Sequence, residues 1–178
     1  MSTDMSITER RPCLLHADQG KVVRARGDLY LFKALAAQTE GHYSLFEGRH
    51  MSGGGVPLHR HHNDEEGIFV LEGRYRFQLA DQQLELGPGD FVHVPRPTPH
   101  AFEALEPSRM LIIIAPGGFH ERYFEEGWEL IDDLHNSPPP REPDFQRVGA
   151  ALQAAGMEML PTNGAPAHAA DPTRTPVS

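Results

Sequence analysis

The chain has 178 residues, 39% of them hydrophobic, with a formal net charge of -9 at pH 7 and a single cysteine, Cys13. The length suits one domain with a real core, one cysteine excludes an internal disulfide, and an acidic balance without a Lys/Arg cluster argues against a nucleic-acid or anionic-membrane partner. No apolar run approaches the roughly 20 residues of a membrane span and MSTDMSITERRPC lacks the apolar core of a signal peptide, so a cytoplasmic location is expected.

Residues 1–19 are polar and without periodicity, and a flexible arm is predicted there. KVVRARG, DLYLFKALA and HYSLFEGRH read as three strands, separated by turns at Gly27-Asp28 and at Thr39 to Gly41. MSGGGVP, residues 51–57, reads as a flexible loop. IFVLEG turns at Gly73 into RYRFQLA, where Tyr75, Phe77 and Leu79 alternate with Arg74, Arg76 and Gln78. QLEL, DFVHVP, PHAFEAL and SRMLIIIAP complete about nine or ten short strands, the signature of an all-β barrel or sandwich. After Pro116 the spacing of Phe119, Tyr123 and Phe124 predicts a helix over GGFHERYFEEGWELIDDL. SPPP at 137–140 breaks it, and EPDFQRVGAALQAAG reads as a second helix. The Pro-, Ala- and Thr-rich residues 161–178 read as a disordered tail.

The stretch HRHHNDEEGIFVLEG carries the chemistry. Side chains alternate faces along a strand, so His59 and His61 point the same way. Glu66 follows a polar turn around Asn63 and Asp64, and a neighbouring antiparallel strand is expected to return its carboxylate to the two imidazoles. His100 emerges from the proline corner at Pro95, Pro97 and Pro99 as a fourth candidate. Imidazole and carboxylate together suit one divalent transition metal, Fe, Mn, Ni, Cu, Co or Zn, rather than calcium or magnesium. Glu66 is preferred to Glu65, which is assigned to the turn. His62 and His93 are read as surface or flanking positions. His16, His42, His50, His120, His135 and His168 fit no ligand spacing and are read as ordinary polar residues.

These motifs resemble those of the cupins. The first cupin motif is met by Gly53, His59, His61, Glu66 and Gly73, and the second by Gly89, Pro95 and His100, with Pro97 and Ala104 standing where the family has Gly and Asn. The tract from Pro116 to Gly127 is similar to the end of small quercetin-dioxygenase-like cupins. The resemblance implies a double-stranded β-helix, or jelly-roll barrel, over 20–116, a C-terminal helical segment over 117–160, and metal ligation by His59, His61, Glu66 and His100. It also implies a homodimer, for which the apolar strands at 21–36 offer an edge.

Alternation places Ile68, Val70, Tyr75, Phe77 and Phe102 inward, as the lining of a mostly apolar small-molecule pocket. Arg60 and Arg96 flank the ligands and are candidates to meet an anionic substrate. Four protein ligands leave positions of an octahedral ion open. The leading expectation is a metal-dependent oxygenase acting on a small aromatic or enol-like molecule, with Glu66 as general base, a role resembling the one proposed in quercetin-dioxygenase-like cupins. A non-redox isomerase, cyclase or lyase on the same site, and a binding protein without turnover, are the alternatives.

Overall fold

The structure, a computed structural model, describes residues 12–132, 134 and 139–161. Most of the predicted N-terminal arm, residues 1–11, and the tail at 162–178 lie outside the described residues, as do His135 and His168. Within the arm, residues 16–19 are tied down: Lys33 Nζ donates to the carbonyls of Ala17 (2.7 Å) and Gln19 (2.8 Å), and Arg49 pairs with Asp18 at 2.8 Å.

Twelve strands, two α-helices and one short 3-10 helix, Ala36–Gln38, are present among the described residues. One sheet has seven strands in the order β11-β1-β2-β3-β10-β5-β8, formed by Glu129–Ile131, Lys21–Ala25, Asp28–Ala34, Ser44–His50, Ser108–Ala115, Glu65–Glu72 and Phe91–Val94. The other has five in the order β12-β4-β9-β6-β7, formed by Met157–Met159, Gly55–His61, His100–Ala104, Tyr75–Leu79 and Gln82–Leu86. All pairings are antiparallel, as expected for a barrel whose strands bury one face and wet the other.

Alternation builds the core. Along β10, Met110, Ile112 and Ile114 are buried while Ile113 is 38% exposed. The register aligns Phe32, Phe46, Ile112, Ile68 and Val92 in one buried row across the seven-stranded sheet. On the facing sheet, Val56, Phe102 and Phe77 form another row. Two glycines permit this closeness. Gly55 has φ +142, and a side chain there would put Cβ 2.1 Å from the Phe102 carbonyl, so β4 approaches β9 only with glycine at that point. Gly73 turns the chain at φ +75 where a Cβ would lie 2.1 Å from Ser108 Oγ.

Helix α1 spans Phe119–Gly127 and buries His120, Tyr123, Phe124 and Gly127, the i, i+3, i+4, i+7 stripe of an amphipathic helix. Phe124 packs against Tyr30, Phe32 and Phe46 with ring centroids 4.6–5.7 Å apart. Helix α2, Phe145–Ala154, is capped by Asp144, whose carboxylate accepts the N–H groups of Gln146 and Arg147. Its Val148 and Ala151 pack against Gly127 of α1.

The structure corrects the sequence reading in several places. β4 begins at Gly55, inside the expected loop at 51–57. The first helix stops at Gly127 rather than running to 134, because Trp128 turns its ring inward, leaving it 8% exposed, and Glu129–Ile131 pair with β1. Ladder pairing overrides the helical preference of Glu and Leu there. The C-terminal segment is not wholly helical: β12 pairs directly with β4, aligning Met157 with His61 and Met159 with His59. The strands at 21–36 are not an open edge, since β2 lies between β1 and β3 and β11 covers β1.

Candidate metal centre

His59 and His61 lie on β4, both 3% exposed, with the half-buried Arg60 turned away between them. His100 is the cross-strand partner of His59 in the β4–β9 ladder and is fully buried. Glu66 arrives from the other sheet. It sits on β5 between Ile114 and Val94, and the turn at 62–64 carries the chain across the barrel rather than into a hairpin with β4. One ligand atom from each of His59, His61, Glu66 and His100 lies within 4.8 Å of all the others.

Two of the imidazoles are held by a hydrogen bond from Nδ1, and the third has a carboxylate oxygen close to it. His59 donates to the Pro57 carbonyl at 2.8 Å, His100 donates to the Thr98 carbonyl at 3.0 Å, and His61 Nδ1 lies 3.0 Å from Asp64 Oδ1. All three rings therefore present Nε2, the arrangement in which an outer oxygen fixes tautomer and ring orientation for a metal ligand. His61 Nε2 is buried without a hydrogen-bond partner. An orphaned polar atom in a barrel core is costly, and a divalent cation would satisfy it. The donor set of three imidazoles and one carboxylate thus fits a transition metal.

The electrostatics follow from burial and pairing. Burial holds His59 and His61 below the usual imidazole range, and neighbouring imidazoles push His59 the same way. Burial would lower His100 too, but its Nε2 meets Glu66 Oε2 at 2.8 Å and that carboxylate raises it. Burial would raise Glu66, yet its bond to His100 and the charges of the surrounding imidazoles hold it well below the ordinary carboxylate value. A metal ion bound at His100 Nε2 would take the place of the proton shared there with Glu66.

Two buried residues beside the cluster escaped the sequence reading. Asp64, assigned to a polar turn, is fully buried; its Oδ2 lies 3.3 Å from Nδ1 of His120 on α1. Burial would raise its carboxyl, but the bonds to His120 and His61 bring it down to about 2. His120, read as an ordinary polar residue, is 4% exposed and packs edge-on against His61 with ring centroids 4.6 Å apart. The only sequence signal was its place on the buried stripe with Tyr123 and Phe124. His50, read the same way, is also buried, between the hydroxyls of Tyr75 (2.9 Å) and Tyr30 (3.4 Å).

A small cavity of about 40 Å³ adjoins the centre. It is lined by His59, Glu66 and His120 together with apolar side chains that include Phe46, Phe102 and Ile112. Leu152, Met157 and Met159 close it from the C-terminal side. Of the side chains expected to line a pocket, Phe102 does so; Ile68, Val70, Tyr75 and Phe77 are fully buried in the core outside that lining. Glu65 begins β5 rather than ending a turn, and its carboxylate meets His93 (3.2 Å) outside the barrel. His62 and Arg60 pair with Glu158, and Arg96 donates to the Asn63 carbonyl, so neither arginine faces the centre.

The cupin domain family matches residues 49–127, which span the whole constellation and α1. The chain carries a cupin domain. It is 27% identical over 143 residues to quercetin 2,3-dioxygenase of Bacillus subtilis (strain 168), covering 80% of this chain and 41% of that protein. It is 25% identical over 143 residues to quercetin 2,3-dioxygenase of Aspergillus japonicus, covering 75% of this chain and again 41% of the relative. The chain thus spans less than half the length of these dioxygenases. Among solved structures, the polyketide cyclase RemF from Streptomyces resistomycificus superposes with a TM-score of 0.53 at 25% identity, covering 59% of this chain and 80% of that one. Among the described residues no helix is long and apolar enough to cross a membrane.

Proposed function

We propose that His59, His61, Glu66 and His100 bind one divalent transition metal and that the cupin acts as an oxygenase on a small aromatic or enol-like molecule. The observation that carries the metal reading is the set of three buried imidazoles, two held through Nδ1 by backbone carbonyls and one with Nδ1 3.0 Å from Asp64, gathered around a buried carboxylate. The oxygenase reading is supported by the likeness to two quercetin 2,3-dioxygenases. When bound, the metal would supply Lewis acidity and, if redox-active, a path for electrons.

This chain's residues supply the rest. Glu66, held ionised by its neighbours, can accept a proton from an acidic hydroxyl at Oε2 once that atom is released from His100. Phe46, Phe102, Ile112 and Phe124 keep water from the reacting groups. The cavity has room for water-sized molecules only, so an aromatic substrate must displace part of the cover. Met157 and Met159, with flexible unbranched side chains, are suited to give way.

A second reading, a non-redox cyclase or lyase on the same metal, is supported by the likeness to the polyketide cyclase. Glu66→Gln, with metal content measured beside oxygen uptake on flavonols, catechols and β-diketones, tests both. The oxygenase reading expects the variant to retain metal on its three histidines and to lose about 10²–10⁴-fold in kcat, while Glu65→Gln stays close to wild type. Turnover that proceeds anaerobically in the wild type supports the cyclase reading instead. Full activity in Glu66→Gln removes that carboxylate from the chemistry.

A further inference from the structure

A second, much larger concavity lies outside the barrel. It is an open groove of about 840 Å³ between the β1–β2 turn, the end of α1 and the approach to α2. One residue lines both this groove and the inner cavity that contains His59 and Glu66: Arg26. It stands at the tip of the β1–β2 turn with φ +56, a left-handed conformation in which a non-glycine residue is uncommon. It is exposed.

The other groove cations are occupied. Arg24 pairs with Glu129 at 3.1 Å, Arg141 reaches the same carboxylate at 3.8 Å, and Arg147 donates to the backbone carbonyls of Glu125 and Glu126. Among the described residues Arg26 has no hydrogen bond or ion pair. The groove acids are largely engaged as well: Glu125 pairs with Lys21, Glu129 with Arg24, and Asp144 caps α2. Asp132 and Glu142 remain. Burial raises the hydroxyls of Tyr30 and Tyr123 and the carboxyl of Asp28, and the Arg26 charge opposes that rise at all three. Arg26 thus lies within electrostatic reach of Tyr30 and Tyr123, which share the lining of the inner cavity with it.

We infer that Arg26 is a specificity-determining residue at the passage from the outer groove to the metal cavity, and that it selects substrates bearing a carboxylate or similar planar anion. This rests on the proposed metal site as the place of reaction and adds the class of molecule admitted to it. A guanidinium is the side chain best matched to a planar carboxylate, which it engages through two parallel N–H donors. An uncommitted guanidinium beside an apolar cavity can make those bonds without first breaking a protein ion pair.

The test is calorimetric titration of the full chain, loaded with metal, using benzoate, phenylacetate and cinnamate against their uncharged amides. The expected result is a carboxylate preference in the wild type that falls by about tenfold or more in Arg26→Gln. The preference should be partly kept in Arg26→Lys and abolished in Arg26→Glu, with amide binding unchanged throughout. The turn is exposed, so the variants should keep the wild-type thermal midpoint. The same preference in wild type and Arg26→Gln, or no preference for any of the three acids in the wild type, overturns the inference. Repeating the titration on a His59→Ala, His100→Ala variant separates the two ideas. An Arg26-dependent preference that persists there, with no metal in the wild type, sinks the metal reading and leaves the anion site standing.

Discussion

At the scale of single residues, the orientation of the candidate ligands depends on oxygens outside the set of four. Pro57 and Thr98 offer backbone carbonyls, which no substitution removes, whereas His61 relies on the side chain of Asp64. Asp64→Asn should therefore weaken metal binding by about 10–100-fold, the usual cost of losing an outer partner of a ligating histidine. Competition against a chelator of known affinity would measure it. His120→Phe keeps the packing against His61 and Phe46 but lets Asp64 relax, and should cost less. Equal affinity in Asp64→Asn and wild type would show that the contact is incidental.

His50 gives a second residue-scale prediction, on stability. Burial lowers its pKa from 6.5 to about 4, so the fold holds it neutral between two tyrosines. A histidine depressed in the folded state contributes stability that is fully present above its unfolded value and is lost as pH falls from 6.5 toward 4. The shift corresponds to about 3 kcal/mol at most. In urea titrations of the metal-free protein, His50→Gln should be less stable at pH 7 yet lose less between pH 6.5 and 4. An unchanged slope would contradict a neutral buried imidazole.

At the scale of elements, the strands and the shared face of His59 and His61 were legible because a period of two and the His-x-His spacing are local. Glu66 joins the cluster, but not by the expected route. The reading of β4 and β5 as a hairpin failed because sheet membership is decided by long-range pairing, with β10 and β8 on either side of Glu66. His120 was illegible for the same reason: it lies 56 residues from Asp64, and only the seating of α1 brings them together. Met157–Met159 carried no strand signal beyond three residues, yet β12 forms the outer neighbour of the metal strand. Truncation after residue 143, which removes α2 and β12, should lower the thermal midpoint and the retained metal together. Truncation after residue 161 should leave both unchanged, since 162–178 offer little apolar surface to offset ordering entropy. Limited proteolysis with mass spectrometry and elemental analysis of the two truncated chains would check this. Full metal retention without β12 would mean that β9 alone holds β4 in register.

At the scale of the whole molecule, the barrel brings carboxylate and imidazoles from opposite sheets into one buried interior, a cost that a bound cation would offset. The homodimer expected from the sequence cannot use β1 as an edge, because β11 already covers it. A dimer would have to form elsewhere, and Leu130 on β11 and Phe91 on the edge strand β8 are among the exposed apolar side chains that a partner could cover. Light scattering at tens of micromolar should give twice the chain mass, and a monomer mass would exclude that assembly.

The claim on which the rest stands is that His59, His61, Glu66 and His100 form a metal centre. Elemental analysis of the full chain purified without chelator, beside a His59→Ala, His100→Ala variant, addresses it most directly. The account predicts close to one divalent transition-metal ion per chain in the wild type and almost none in the variant. Equal metal content in the two proteins, or a wild type that takes up none of the six candidate metals when they are supplied, would contradict it.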